Sequence, residues 1–481
     1  MYEDFDEFYS IMADVNPQLT VRYKVTGINI LDSIKKMRTN IDTITNEVSF
    51  AELIYKSIKM CNDLHCNLIE DEKLLLHFHK DSIITNNIID LITKTEQKIF
   101  QQKTRLRLIL SYDSGSYYNI GKFNIIFENR RDSLPSGAEI LSINGNSIDF
   151  WLSDKNLIRE YRWDNKLQKK YCQIRGNLYI DKNDTICIKY KNHNKIDSIF
   201  YLVKKTGISV FGGAYVFNSV DEIGYVNFFD NEKILYIRLP KMLSDNYPFV
   251  DSIIAKGTGK SIKKVIIDIR RNGGGGDDVW MNILSAIIKD TIRFDAPIGL
   301  RCTEASKIAM QKNNRWEEWD SLKSSPIEIA MLNNEKFTTV NWGEPIAPNG
   351  KSLNYTGKIY VLQDRMIFSS AGSLSNIAYL CENIVSVGEN TGRLLGFGIN
   401  PLLFALPNSH LTFSMEPVIE LTNKGNSNWE YFHDNVEIYI PTTIEQTIKN
   451  FNAEPMDNGT IYTKDYLFNE DSVFQKVLQL E

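Results

Sequence analysis

The sequence predicts a multidomain α/β (α+β) protein, with a helical N-terminal region, a β-rich segment after it and a C-terminal region of alternating strands and helices. Three observations support this fold class. Apolar residues recur at helical spacing near the N-terminus, and short apolar runs separated by turn residues follow. Strand patterns then alternate with helical ones, which is typical of βαβ units and a largely parallel sheet. Because 481 residues exceed what one hydrophobic core supports, we expect three domains, at residues 1–103, 104–205 and 206–481.

The first domain is predicted to be a small helical bundle. Apolar side chains recur every three to four positions in residues 50–60 (FAELIYKSIKM) and again in residues 83–92 (IITNNIIDLI). Proline and glycine, which end helices, are sparse in this region.

The second domain is predicted to be built from strands. Residues 106–110 (LRLIL) and 123–127 (FNIIF) are short apolar runs with turn residues between them. A further run, residues 140–143 (ILSI), precedes the pair Asn144-Gly145, which favours a tight two-residue hairpin turn.

The third domain is predicted to contain a largely parallel sheet with one insertion. We expect strands at residues 233–239, 264–269 and 358–363, and helices at residues 247–256, 279–289 and 374–382. Residues 303–357 interrupt the alternation and place Trp316, Trp319 and Trp342 among polar residues. This insertion is either a lid over the functional site or a surface excursion with its own small core.

The bulk composition excludes two classes of partner. The net charge is −5 and no long basic block occurs, so we expect no nucleic acid. No apolar run approaches the ~20 residues of a membrane-spanning helix. Residues 1–7 (MYEDFDE) are acidic and show no signal peptide, which leaves a cytoplasmic protein, or a secreted or periplasmic one whose signal was removed.

The cysteines and histidines do not predict a metal site or a cofactor. The six cysteines lie at scattered positions without paired spacing, which is typical of free thiols. The histidines show no His-Glu-x-x-His spacing, and no Cys-x-x-Cys pair occurs.

Two segments carry what catalysis by a serine requires. The apolar run 265–267 leads into four consecutive glycines at 273–276, and two serines lie among small residues in 368–372 (FSSAG). A serine nucleophile needs a base, and it needs backbone N–H groups that approach the developing oxyanion with no Cβ in the way. A strand that runs into glycines supplies such N–H groups.

Four segments, taken in chain order, resemble those of the C-terminal processing (tail-specific) serine proteases, peptidase family S41. They are residues 267–275 (IDIRRNGGG), 369–371 (SSA), 387–392 (VGENTG) and 406–409 (LPNS). The resemblance implies an α/β core of crotonase/ClpP-like type and a serine-type peptidase. The chain departs from the family pattern at Gly372, where relatives usually carry an acid.

A further segment, residues 134–148 (LPSGAEILSINGNSI), resembles a PDZ domain. The resemblance implies that residues 104–205 hold an extended polypeptide as an added strand at a sheet edge. The alternative is a generic β-hairpin.

The resemblance implies Ser369 as the nucleophile. Its ungapped spacing to Gly388 and Glu389 fits the family, whereas Ser370 requires a shift of one residue. The alternative role of both serines is to cap a helix.

The oxyanion hole would consist of the Ser370 amide and an amide of the glycine run, Gly273 or Gly274. The alternative, a phosphate-binding loop, is disfavoured because Asp277 and Asp278 follow the glycines and would repel a phosphate.

The general base is implied by a second branch of the family. Many relatives use a lysine just past the Gly-Glu-x-Thr segment, but residues 391–396 (TGRLLG) offer only an arginine, which stays protonated. The other branch uses the histidine of an Asp-x-His segment, which matches Asp63 and His65. Three other histidines lack this context: His77, His79 and His433. His433 is kept as an alternative base.

The orienting acid in the histidine-using branch is a glutamate downstream of the serine. Residues 428–436 (NWEYFHDNV) occupy the comparable stretch and imply Glu430. Glu416 and Glu420 remain open as alternatives.

The sequence therefore predicts a serine endopeptidase that cuts extended polypeptides. The expected partner is a polypeptide substrate, and no oligomeric state is specified. The alternative function is that of a non-catalytic peptide- or ligand-binding protein on the same scaffold.

Overall fold

The computed structural model describes residues 1–19, 23, 27–61, 63, 65–101, 103–106, 108–121, 123–127, 130–152, 161–164, 167, 169–172, 178–181, 185–202, 223–243, 247–295, 297–314, 327–329, 335–341, 343–390, 401–420, 436–453, 456 and 459–480. The helices are α1 (Tyr2–Val15), α2 (Ile30–Met37), α3 (Glu47–Lys59), α4 (Glu72–His79), α5 (Ser82–Gln101), α6 (Ile148–Trp151), α7 (Tyr247–Gly257), α8 (Asp277–Ile287), α9 (Glu304–Lys312), α10 (Ser370–Leu380), α11 (Ile444–Asn452), α12 (Lys464–Asn469) and α13 (Ser472–Gln479), and a 3₁₀ helix spans Arg38–Thr43.

The strands are β1 (Asn67–Leu68), β2 (Lys103–Leu106), β3 (Leu110–Asp113), β4 (Ser116–Asn119), β5 (Phe123–Phe127), β6 (Arg130–Leu134), β7 (Glu139–Ile143), β8 (Tyr161–Asp164), β9 (Lys169–Cys172), β10 (Leu178–Asp181), β11 (Thr185–Asn192), β12 (Lys195–Leu202), β13 (Tyr225–Phe229), β14 (Ile234–Arg238), β15 (Lys264–Asp268), β16 (Pro297–Arg301), β17 (Ile327–Ile329), β18 (Glu335–Asn341), β19 (Ile359–Gln363), β20 (Ile384–Gly388), β21 (Leu402–Ala405), β22 (Thr412–Met415), β23 (Val418–Glu420) and β24 (Ile438–Tyr439).

Two compact units make up the chain, and each contains separated stretches of sequence. The first, here the N-terminal unit, comprises Met1–Phe217, Ile298–Val340 and Leu394–Ile419. The second, here the C-terminal unit, comprises the remaining stretches: Asn218–Pro297, Asn341–Arg393 and Glu420–Glu481. A mixed α/β multidomain fold was predicted and is confirmed, whereas the boundaries of the three predicted domains stay a prediction.

Helices dominate the first hundred residues of the N-terminal unit. The apolar patterns at 50–60 and 83–92 lie on α3 and α5, as predicted. Side-chain caps fix where the helices begin: Asn46 accepts from the Ser49 N–H at 2.9 Å, and Asp71 accepts from the Leu74 N–H at 2.8 Å.

A small antiparallel sheet, in the order β1-β22-β21, joins these helices to a late part of the chain. Asn67 pairs with Ser414, and Leu68 pairs with Phe413. The Phe413 ring also packs edge-on against Phe8 of α1, at 5.3 Å between centroids. This pairing fixes the loop that precedes β1.

The stretch predicted to be β-rich contains a five-stranded antiparallel sheet, in the order β12-β11-β7-β4-β3. The predicted strand at 106–110 is wrong, because β2 ends at Leu106 and β3 begins at Leu110, with the buried Leu108 between them. The predicted turn is present: Asn144 and Gly145 have φ of 49° and 78°. Only one bridge, Ile143 to Asn146, follows it before α6 begins.

The predicted insertion contains α9, β17 and β18. Its two strands belong to a four-stranded sheet, in the order β17-β18-β16-β23. Its three tryptophans, Trp316, Trp319 and Trp342, lie outside the described residues. The lid role stays a prediction.

The C-terminal unit is built on a six-stranded sheet, in the order β13-β14-β15-β19-β20-β24. Neighbouring strands are parallel from β14 to β24, and β13 is antiparallel to β14. The predicted strands and helices of this region are confirmed to within a few residues at each end.

Both faces of this sheet are covered, which explains its continuous apolar strands. On one face, Val265 and Ile267 pack with Ile283 of α8 and Leu374 of α10. On the other face, Ile266 packs with apolar side chains of the C-terminal helices α12 and α13. The carboxyl ends of β15, β19 and β20 therefore meet at one edge of the sheet, where binding sites of open α/β sheets lie.

Candidate active site

Ser369 lies in a strained turn between β19 and α10. Its φ is 52° and its ψ is −126°, values that side-chain-bearing residues rarely adopt. It occupies the position that precedes the helix, yet its side chain makes no capping hydrogen bond to the described helix. The capping alternative therefore does not explain this serine.

The two neighbouring serines differ in exposure. Ser370 is only 3% exposed, whereas Ser369 is half-buried. A nucleophile must be reached by its substrate, so this difference favours Ser369.

The glycine run lies against this turn. Asn272 accepts a hydrogen bond of 3.0 Å from the Phe368 N–H, which joins the two segments. A Cβ added to Gly274, which has φ of 100°, would lie 2.6 Å from the Ser369 Cβ and 3.0 Å from the Ser370 nitrogen. Only glycine fits at this position.

The amides predicted for the oxyanion hole differ in what they bind. The Gly274 N–H donates to the Asn272 side-chain oxygen at 2.8 Å. Ser370 is the first residue of α10, and the first N–H groups of a helix have no partner within it. Among the described residues, neither the Ser370 N–H nor the Gly273 N–H has an acceptor. These two amides remain available to an oxyanion.

Met242, just past β14, fixes the glycine run from the other side. Its N–H donates to the Gly274 carbonyl at 3.0 Å, and its carbonyl accepts from the Gly276 N–H at 2.8 Å. A Cβ on Gly275 would lie 1.9 Å from that carbonyl oxygen. Gly275, like Gly274, is therefore required by close backbone approach.

Glu389, in the segment that resembles the family, has a structural role here. Its carboxylate is 3% exposed and pairs with Arg365 at 2.6 Å. Its carbonyl accepts from the Gln363 side chain at 3.0 Å, and Gln363 in turn accepts from the Ser375 hydroxyl at 2.6 Å. This network ties the ends of β19 and β20 to α10.

Asp277 lies at the start of α8. From the sequence, this residue is predicted only to repel a phosphate. Burial raises the pKa of its carboxyl, and the hydrogen bond from the Trp280 indole opposes that effect. The Trp280 indole donates at 2.7 Å. A half-buried carboxyl directly after the glycines is consistent with the exclusion of a phosphate-binding loop.

His65 lies in the N-terminal unit, in the loop before β1. Its side chain is 15% exposed, and its Nδ1 lies 3.3 Å from Asp63 Oδ1 and 4.0 Å from Glu416 Oε2. Its backbone N–H donates to the same Asp63 oxygen at 2.9 Å, and its carbonyl accepts from the Ser414 hydroxyl at 2.6 Å. The backbone of His65 is thus held from both sides, and its ring lies next to two carboxylates.

The other candidate acids and bases lie as follows. Glu416 is completely buried, and its Oε1 accepts from the Val418 N–H at 3.3 Å. Glu420 is the last residue of β23, and His77 and His79 lie in the last turn of α4. Glu430 and His433 lie outside the described residues.

The predicted site residues are divided between the two units. Ser369, Ser370 and the glycines belong to the C-terminal unit, and His65 and Glu416 belong to the N-terminal unit. The proximity of Glu416 to His65 could not be derived from the sequence, because about 350 residues separate them.

The search for other kinds of site adds two findings. Within the described part of the chain, no cluster of three histidine, cysteine or acidic side chains could hold a metal ion. No helix of that same part is long and apolar enough to cross a membrane.

Comparisons with known proteins support a serine-type peptidase. Residues 233–419, which contain the glycine run, Ser369 and the Val-Gly-Glu segment, match the model of peptidase family S41. The chain is a serine-type peptidase whose matched part is similar to family S41. The predicted resemblance is thereby confirmed. No curated protein matches the sequence.

Solved structures of CPAF share the fold of this chain. Mature CPAF has a TM-score of 0.56 at 13% identity, over 93% of each chain. CPAF complexed with lactacystin has a TM-score of 0.56 at 13% identity, over 99% of this chain and 96% of the other. A CPAF mutant has a TM-score of 0.57 at 11% identity, over 93% of this chain and 95% of the other. The likeness extends through the N-terminal region as well as the part that matches the family.

Proposed function

We propose that this peptidase cuts extended polypeptides internally, with Ser369 as nucleophile and His65 as general base. One observation carries the proposal: Ser369 has φ of 52° at the start of α10, with Gly274 against its Cβ. Such backbone strain costs ~1–3 kcal/mol and persists mainly where function requires it. In this proposal, the N–H groups of Gly273 and Ser370 receive the negative oxygen that forms when the Ser369 hydroxyl attacks.

The reaction would follow the general scheme of serine acyl transfer. Ser369 Oγ attacks the substrate carbonyl carbon while Nε2 of His65 accepts its proton. The oxyanion is stabilised by the N–H groups of Gly273 and Ser370. The imidazolium then protonates the leaving amine as the peptide bond breaks, which leaves the acyl group on Ser369 Oγ. In the second half, His65 accepts a proton from water as the water attacks the acyl carbon, and His65 then returns the proton to Ser369 Oγ as the acyl group leaves. The proposal requires Nε2 of His65 to reach Ser369 in the active enzyme.

We assign the orienting acid to Glu416, one of the two alternatives left open by the sequence. Asp63 Oδ1 lies nearer to Nδ1 but already accepts the backbone N–H of His65. Glu416 Oε2 lies 4.0 Å from Nδ1, and such contacts often tighten only when substrate binds. Glu430 stays a prediction.

The remaining finer features are also part of the proposal. The five-stranded sheet leaves β12 and β3 as its edges, and a PDZ-like domain at 104–205 would add the substrate as a strand there. The sheet of the C-terminal unit would be the crotonase/ClpP-like core that the resemblance implies.

Labelling with a fluorophosphonate probe tests the proposal. The full chain should acquire one phosphonyl group on Ser369, located by mass spectrometry, and should hydrolyse fluorescein-labelled casein. Ser369→Ala should lose both, and the matched variant Ser370→Ala should keep the label. A wild-type protein that is neither labelled nor active, but still binds peptide, would favour the binding-protein alternative.

A further inference from the structure

Arg270, which lies between β15 and the glycine run, joins the site to the C-terminal helices. Its Nη1 lies 2.6 Å from Asp471 Oδ2, and its Nη2 lies 2.5 Å from Asp268 Oδ2. Exposure of the three residues is 5%, 2% and 0%. An ion pair this deeply buried is expensive to desolvate and seldom adds net stability, so its presence needs another reason.

Further contacts around Arg270 fix its position. The Arg238 guanidinium donates to the Asp268 and Arg270 carbonyls at 3.0 and 2.8 Å. The Tyr236 hydroxyl donates to Asp268 at 2.7 Å, and the Arg270 guanidinium stacks 4.2 Å from the Tyr462 ring centre. Arg270 therefore has one defined position.

Each residue between Arg270 and the glycines is also held. The Arg271 N–H donates to Asp364 at 3.1 Å, with φ of 62° at Arg271. The Asn272 side chain donates to the Leu239 carbonyl at 2.8 Å. Only two residues separate Arg270 from Gly273, and both are held, so this segment is a short, rigid connection between Arg270 and the Gly273 amide.

The two carboxylate oxygens of Asp471 make different contacts. Oδ1 accepts from the Val473 and Phe474 N–H groups at 3.0 Å each, which caps α13. Oδ2 faces Arg270. The start of α13 and the end of β15 are thus coupled through one side chain.

We infer that Asp471 is a positioning residue for the oxyanion hole: through Arg270 it sets the place of the Gly273 amide. The inference rests on the proposed function, since it assigns that amide a role in catalysis. It gives the C-terminal helices a task in the reaction besides covering the sheet.

Phosphonylation kinetics of the full chain test this inference. Asp471→Asn keeps an oxygen for the α13 cap and removes the charge that Arg270 faces. The maximal rate of labelling by the fluorophosphonate should fall ~10-fold, less than the ~100-fold typical of a lost oxyanion donor. The probe concentration for half-maximal rate should stay unchanged, because ground-state binding does not use the hole. A purely structural role would lower stability but leave the rate per folded molecule unaltered.

The matched control is Glu470→Gln, at the adjacent position, where the carboxylate pairs with Lys449 on the surface. It should label at the wild-type rate. If Asp471→Asn does not fold, Asp471→Ser keeps a side-chain oxygen for the α13 cap and likewise removes the charge that Arg270 faces, while Arg270 keeps its pair with Asp268. A wild-type maximal rate in either folded Asp471 variant overturns the inference. Absence of labelling in the wild-type chain would instead refute the proposed function.

Discussion

Gly274 lies directly against Ser369, with room for a hydrogen but not for a methyl group. A Cβ on Gly274 would approach the Ser369 Cβ to 2.6 Å and the Phe368 carbonyl oxygen to 2.8 Å. The strained serine and the glycine that faces it therefore depend on each other.

The first prediction follows from this contact. Gly274→Ala should reduce casein hydrolysis by about 100-fold or more, because the methyl group displaces the serine and the Ser370 amide. Gly273→Ala is the matched variant, since a Cβ there meets nothing within 4 Å. It should lose much less activity. Similar activity in Gly274→Ala and wild type would contradict this reading of the turn.

A second prediction concerns the general base. His65→Ala should lower turnover nearly as much as Ser369→Ala, because nucleophile and base act as one unit. His77→Ala, at an exposed position in the same region, should not change it. Steady-state hydrolysis of labelled casein measures both variants. Full turnover in His65→Ala would remove His65 from the mechanism.

The two carboxylates next to His65 should differ in their effects. Glu416→Gln should reduce turnover because it removes the charge that stabilises the imidazolium. Asp63→Asn keeps an oxygen for the His65 N–H and should cost less. A larger loss in Asp63→Asn would transfer the orienting role to Asp63. Equal and unchanged turnover in both would leave Glu430 as the predicted acid.

Glu96 on α5 should make stability depend on pH. Burial, followed by the nearby Glu70, raises the pKa of Glu96 from 4.5 to about 8. Below pH 4.5 the carboxyl is protonated in both the folded and the unfolded chain, and the free energy of unfolding is at its full value. As the pH rises from there to about 8, the unfolded chain loses this proton first, so the free energy of unfolding falls. Urea unfolding from pH 4 to 9 should show this decline.

The same series with Glu96→Gln should show a flatter dependence. Asp90→Asn serves as its control on the same helix, since Asp90 pairs with Lys94 at the surface. Identical slopes in the wild type and Glu96→Gln would show that Glu96 titrates normally.

The sequence predicted best where local pattern and burial coincide. Strands β14 and β19 are buried along their whole length, and β15 is buried at every residue after Lys264, so their apolar runs were visible. Ser369 and the glycines were identified because their segments are contiguous and resemble a family.

Contacts between distant segments could not be predicted. Glu416 lies beside His65 because β1 pairs with β22, and Asp471 lies beside Arg270 because α13 covers the sheet. The chain alone does not show either pairing. The division into two units was also hidden, since each draws on three separate stretches.

The pairing of Asn67 with Ser414 has a consequence for how the enzyme is made. A ribosome adds residues from the N-terminus, so the strand that anchors the His65 loop must wait for a partner made almost 350 residues later. Until then the loop lacks the Ser414 bond and the neighbouring Glu416. A nascent chain would thus carry Ser369 before the proposed base is in order, and the proposed activity would begin only after Glu416 has been added.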